Sequence, residues 1–414
     1  NCTVSFHYYR AATKIGQTQT VAPRKMIYRY VVLVAFIMLS GLMLGCDAFS
    51  TGGHVKVNSF KAPSRSFRPM MSMSVSPLKE MEQQITGKLM GSTQEGTTAR
   101  QFAEIFADFL SQYTDCCEVY GMDVQTYGNL TQSFLKFVDE AFKNPHQFDL
   151  YHRAIRDPFD YYAWGNDFFR PLVVMDKSKV FGTEQLEKIR GYINAGENVI
   201  LYSNHQTEAD PQVISLLLEP LGYSDLAEKV VCVAGHRVTS DPLAIPFSMG
   251  RNLLTIYSKK HMDNPPEEKE AKQTRNMATL KEAGHQMGLG GTLLWVAPSG
   301  GRDRPAPGTK DFVIAPLDPK SVDLFKVMAK GVEKQSTTHF FPLAMWTNGL
   351  VPPPDELKST LGETRSASRA AVSLYFGEEI AVNEVKGKGK LGGIVEEQIK
   401  QDYQKLKDFH ASQQ

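Results

Sequence analysis

Between Pro77 and Asp160 apolar side chains return every three or four residues: Phe102, Ile105, Phe106 and Phe109 form one stripe, and Phe134, Phe137, Val138, Ala141 and Phe142 another. That is the period of helices burying one face, so the stripes predict a small helical bundle and read as its core rather than as a ligand box. A turn-rich aromatic segment, Asp157-Pro158-Phe159-Asp160-Tyr161-Tyr162, then sets a boundary close to residue 160. Beyond it the rhythm changes. Short continuous apolar runs, Val199 to Tyr202, Val230 to Val233, Leu253 to Ile256, Thr292 to Val296, His339 to Phe341 and Val372 to Tyr375, alternate with longer helical stretches, the clearest at Glu267 to Met287 and Ile394 to Phe409. Strands apolar on both faces and separated by amphipathic helices predict an α/β fold, with a mostly parallel mixed sheet flanked by helices and a smaller N-terminal helical-bundle domain. Lys386 to Gly393 reads as a solvated Gly/Lys loop.

The first 76 residues follow none of these rhythms. Arg24, Lys25 and Arg29 precede an apolar run from Val31 to Leu44 and the small-residue segment Gly45-Cys46-Asp47-Ala48, which is the order of regions in a signal peptide. An uncleaved anchor is the competing reading, but the run is shorter than the roughly 20 apolar residues that span a bilayer. The Ser-, Arg- and Lys-bearing, acid-free stretch after Phe49 has transit-peptide composition. Four segments are therefore expected: a signal-like leader (1–48), a transit-like segment (49–76), a helical bundle (77–160) and an α/β catalytic domain (161–414). Asn1 is not a methionine, so Met26 and a position upstream both stay open as the start.

Charge changes the picture once the leader is set aside. Ten of the 46 Lys and Arg lie before Glu80 but only one of the 45 Asp and Glu, so the body is near −8 and the formal +1 belongs to the leader. An acidic body argues against nucleic acid and against general binding to anionic membranes, and any anionic ligand needs a local basic site. No apolar stretch of 18 residues marks a transmembrane anchor in that body. Cys116, Cys117 and Cys232 lie outside the leader with neither disulfide nor zinc spacing, which suits a reducing compartment.

In a parallel sheet, ligands gather beyond the carboxyl ends of the strands, and three polar segments fall there. After the first strand comes Ser203-Asn204-His205-Gln206-Thr207-Glu208-Ala209-Asp210-Pro211. Acyl transfer to an alcohol needs a base on the hydroxyl and a carboxylate on the far side of the imidazole, which His205 and Asp210 can supply. Asp210 ahead of Pro211 also reads as a helix N-cap, with His205 a mere loop residue. Tyr257-Ser258-Lys259-Lys260-His261 offers point charge from Lys260 and His261 to a phosphate, or a solvated loop. In Pro298-Ser299-Gly300-Gly301-Arg302-Asp303-Arg304-Pro305, Gly300 and Gly301 permit a backbone nest of N–H groups, and Arg302 and Arg304 can fork onto phosphate oxygens.

The three segments in this order, with four residues between the histidine and the aspartate, resemble the glycerolipid acyltransferase superfamily. Within it, Asn204 to Pro211, Tyr257 to Met262 and Ala297 to Pro305 look like the soluble plastid glycerol-3-phosphate acyltransferases. That resemblance runs from about Pro77 to the C-terminus. It implies a helical bundle packed on an α/β domain and transfer of an acyl chain from acyl carrier protein or coenzyme A to the sn-1 hydroxyl of glycerol 3-phosphate. His205 and Asp210 become the catalytic pair, and Lys260, His261, Arg302 and Arg304 the phosphate site. The leader resembles the two-part leaders of algae whose plastids lie inside extra membranes, which implies the plastid stroma. One stretch departs from the pattern: Thr347-Asn348-Gly349 stands where plant members tend to carry Cys-His-Asp, so no role of that histidine carries over.

The expected mechanism is direct attack in a ternary complex, without a covalent acyl-enzyme, since there is no Gly-x-Ser-x-Gly elbow and Cys232 lies in an apolar strand. Neither metal nor organic cofactor is implied. Two other readings compete: a lysophosphatidate acyltransferase, and a noncatalytic acyl-chain or phospholipid carrier. Acyl-chain preference, the choice of donor, the oxyanion-hole groups and the oligomeric state are not legible.

Overall fold

The structure is a computed structural model and describes residues 75–258, 262–354 and 364–413. The leader, Lys260 and His261 lie outside the described residues. Three helices come first: α1 Pro77–Gly91, α2 Thr98–Tyr120 and α3 Val124–Lys143. Each starts where a short polar side chain takes an orphaned backbone N–H, Ser76 from Lys79, Thr97 from Arg100 and Asp123 from Thr126. The two apolar stripes face inward as their period requires, with Phe106, Phe134 and Val138 buried and Phe102, Phe109 and Phe137 packed against them.

The rest of the chain runs β1 Tyr151–His152, α4 Tyr161–Phe169, β2 Lys179–Phe181, α5 Thr183–Asn194, β3 Asn198–Ser203, α6 Asp210–Leu218, α7 Ser224–Lys229, β4 Val230–Gly235, α8 Ile245–Met249 and β5 Asn252–Ile256. There follow α9 Lys269–Leu289, β6 Leu293–Val296, β7 Arg304–Pro305, β8 Phe312–Val313, α10 Pro319–Val332, β9 Thr338–Trp346, β10 Ser373–Phe376 and α11 Lys390–Ala411. Eight strands form one sheet in the order β1-β5-β4-β6-β3-β9-β10-β2, and β7 and β8 form a separate ribbon. From β5 through β4, β6 and β3 to β9 every pairing is parallel, whereas β1 joins β5 and β10 joins β9 antiparallel. The mixed, mostly parallel sheet is the one the apolar runs predict.

Successive side chains of a strand point to opposite faces, and here both faces are covered. Val199, Leu201, Trp295, Phe341 and Leu343 belong to one core together with α4, α6 and the three N-terminal helices, while Ile200, Tyr202, Leu294, Val296 and Phe340 belong to a second under α9, α10 and α11. Aromatic rings join the N-terminal helices to the sheet layer: Phe134, Trp164 and Phe168 all pack against Phe247 of α8, at centroid distances of 5.6, 4.9 and 5.2 Å. Removing one such buried ring typically costs about 3–5 kcal/mol.

Two boundaries differ from expectation by more than two residues. Strand β9 passes through Pro342 to Trp346 instead of stopping at Phe341, because β3 and β10 pair with it on either side and outweigh the N–H that proline lacks. Helix α11 begins at Lys390, inside the stretch read as a loop. Gly392 explains it: a Cβ there would lie 2.9 Å from the Pro319 Cα, so the glycine marks a close helix contact rather than a solvated turn. The two- and three-residue strands β1, β2, β7 and β8 are too short to show a period. Cys116, Cys117 and Cys232 are free and buried, and burial raises all three thiols, Cys117 and Cys232 to about 12. No described helix is long and apolar enough to cross a membrane.

Candidate active site

β3 and β6 are adjacent and parallel, so the turns leaving their carboxyl ends meet. The first turn carries His205 and Asp210. Their side chains touch, with Nδ1 of His205 2.8 Å from Oδ2 of Asp210. A carboxylate offers only lone pairs, so the proton between them belongs to Nδ1, and in the neutral imidazole Nε2 is left as the acceptor. Asp210 is fully buried, whereas a quarter of the His205 side-chain surface is open. Oδ2 of Asp210 also accepts the Gln206 N–H at 2.8 Å, and Oδ1 accepts the Thr347 hydroxyl at 2.6 Å. The carboxylate is thus turned back onto the loop. It does not cap α6, whose N-terminus has no side-chain cap at all. The Trp295 ring stands edge-on to the imidazole at 5.6 Å.

The second turn is tied to the first through Asp303, whose backbone N–H donates to the His205 carbonyl at 2.6 Å. Its carboxylate is buried and accepts from Asn204 Nδ2, Gln206 Nε2 and the Ala315 N–H at 2.9, 3.2 and 2.8 Å. Burial pushes this carboxyl up to about 6, against the pull of those three donors. Arg302 and Arg304 flank Asp303 and are therefore carried to the histidine turn. Gly300 adopts φ +64°, which glycine tolerates without strain, and its N–H donates to the Ala297 carbonyl, so that donor is engaged within the turn.

Arg302 meets Glu208 at 3.2 Å, and so does Arg365, from a distant segment, at 2.9 Å; Arg365 also holds Asp241 at 2.6 Å. Burial alone would raise the Glu208 carboxyl, but Arg365 and Arg302 bring it below its ordinary value. Burial lowers the Arg302 guanidinium. The structure thus brings together His205, Asp210 and Arg302, with Arg304 following Asp303 at the start of β7. Asp303, Glu208 and Arg365 were not singled out from sequence, where only the polar spelling of both motifs hinted at Glu208 and Asp303, and Thr347 was noted only as a departure from the family pattern, with no role. Among the described residues no three His, Cys, Asp or Glu side chains are grouped to hold a metal ion.

An acyltransferase family model matches residues 177–346, the stretch containing both turns. The chloroplastic glycerol-3-phosphate acyltransferase of Phaseolus vulgaris is 34% identical over 343 residues, covering 80% of this chain and 73% of that protein. The chain belongs to the chloroplastic glycerol-3-phosphate acyltransferase family. The member from Arabidopsis thaliana is 41% identical over 243 residues, 59% of this chain, and the match spans about half of that relative's length, 52%. A solved 1-acyl-sn-glycerophosphate acyltransferase from Thermotoga maritima superposes with a TM-score of 0.36 and 18% identity, over 60% of this chain and 78% of that one, too loosely to inform either fold or acceptor. In this chain the His205 imidazole and Arg302 lie on neighbouring turns at one end of the sheet, and Arg304 opens β7 directly after.

Proposed function

We propose that the protein is a glycerol-3-phosphate 1-O-acyltransferase working in a plastid. Family membership supports the reading, and the observation that carries it is the buried Asp210 carboxylate holding His205 Nδ1 while the imidazole faces solvent. In this reading His205 Nε2 takes the proton of the sn-1 hydroxyl as the oxygen attacks the thioester carbonyl, and Asp210 supports the imidazolium that forms. The proton then passes to the departing thiolate, giving 1-acyl-glycerol 3-phosphate and a free thiol. No acyl-enzyme is needed.

Glycerol 3-phosphate offers one strong handle, its phosphate. Arg302 and Arg304 are the described residues assigned to it, with Lys260 and His261 completing the set. Either acyl carrier protein or coenzyme A, as its acyl thioester, serves as the acyl donor. Delivery to the stroma is assigned to the two-part leader. Purified protein assayed with glycerol 3-phosphate against lysophosphatidate, with each donor in turn, tests the reading. Acylation of glycerol 3-phosphate is expected. Preferential acylation of lysophosphatidate, or binding without thiol release, would replace it with one of the competing readings.

A further inference from the structure

We propose that Thr347 is a positioning residue for proton transfer, its hydroxyl holding the Asp210 carboxylate in the orientation that fixes the His205 ring. The inference rests on the reading of His205 as the base. It begins with how β9 runs on after β3 has left the sheet. The last backbone pair between them is Ser203 with Leu343. Beyond it the side-chain amides of β3's turn stand in for peptide groups. Asn204 Oδ1 accepts the Met345 N–H at 2.8 Å while its Nδ2 donates to the Met345 carbonyl at 3.0 Å. Gln206 Oε1 accepts the Thr347 N–H at 2.8 Å. Residues 343, 345 and 347 follow the two-residue period of a strand, so this surrogate ladder sets Thr347 as firmly as a backbone rung would.

From that fixed backbone the Thr347 hydroxyl donates to Asp210 Oδ1 at 2.6 Å, in a fully buried contact. The other oxygen, Oδ2, carries both His205 Nδ1 and the Gln206 N–H. The two oxygens are thus told apart. Without the hydroxyl, Oδ1 would be a buried acceptor with no partner, and the group would relieve that by rotating, which takes Oδ2 off the imidazole. A β-branched side chain is stiff at χ1, so threonine delivers its hydroxyl to one place. Thr347 touches neither His205 nor the reacting atoms and acts through Asp210.

The test uses the full chain with Thr347→Val, Thr347→Ser and, in case valine does not fold, Thr347→Ala. Valine keeps the shape and removes the donor, so kcat should fall at least tenfold while the KM values of donor and acceptor stay within about twofold. Serine keeps the hydroxyl and should retain at least a third of wild-type turnover. Turnover within twofold of wild type in the valine or alanine variant would overturn the proposal, as would serine falling as far as valine. Wild type and His205→Ala run alongside: if wild type fails to acylate glycerol 3-phosphate, or His205→Ala keeps turnover, the underlying reading fails instead.

Discussion

In the turn after β3, Asp210 is sealed from solvent and each of its oxygens is claimed by a fixed donor, whereas in the turn after β6 Arg302 leans on Glu208, a carboxylate with a third of its side chain exposed and shared with Arg365. On the proposed function, the contrast follows from what each turn handles. Proton transfer depends on direction, and direction comes from saturated, buried hydrogen bonds on a rigid strand. Anion binding depends on charge, and an arginine resting on a half-open carboxylate keeps its charge while leaving an ionic partner that an incoming phosphate can replace. On that reading the Asp210–His205 pair holds a direction, and Arg302 can exchange Glu208 for a phosphate.

Breaking the rigid turn should have the largest effect. His205→Ala should lower kcat by about 10²-fold or more with glycerol 3-phosphate still binding by calorimetry, since general-base assistance is typically worth 10²- to 10⁴-fold. Asp210→Asn should lose turnover comparably. Retained activity with lost thermal stability in that variant would make Asp210 a structural device. The exchangeable turn should respond in KM: Arg302→Lys and Arg304→Lys preserve charge but lose the planar fork, and the acceptor KM should rise by about tenfold, roughly the 1.4 kcal/mol of a weakened charged contact. The donor KM should hold. Selective loss of affinity for an acyl carrier protein donor would turn the arginines into a docking patch.

The smallest effect sharpens the comparison where the turns join. Asp303 is pushed up to about 6 by burial, so between its unfolded value near 4 and that point the folded protein binds a proton the unfolded chain does not. This group therefore makes folding less favourable as pH rises through the window. Asp303→Asn has no such proton to gain. The melting temperature of wild type minus that of the variant should fall by a few degrees from pH 4 to pH 6, as a change of about 2 kcal/mol in a protein this size implies. A flat difference would mean the amides of Asn204 and Gln206 neutralise the burial of Asp303 completely.

The central strands were readable because β3, β4, β5, β6 and β9 are apolar on both faces, and both site turns because each directly follows such a run. The His205–Asp210 contact spans five residues and local spacing could suggest it. Thr347 reaches Asp210 across 137 residues and Arg365 reaches Glu208 across 157, and no local pattern encodes a contact made only when two strands become neighbours. The early start of α11 was hidden by Gly392, whose lack of a side chain reads as loop in sequence and as a close contact in the packed structure.

The buried cysteines carry a consequence for chemoselectivity. A thioester donor reacts with any accessible thiolate by exchange, so an enzyme handling activated acyl groups risks acylating itself. Burial raises Cys117 and Cys232 to about 12, which disfavours the thiolate near neutral pH, and both are walled into the core besides. In the proposed reaction, an alcohol deprotonated at His205 then has no sulfur rival in these side chains. The hydrophobic core thereby protects the acyl group's destination as well as the fold.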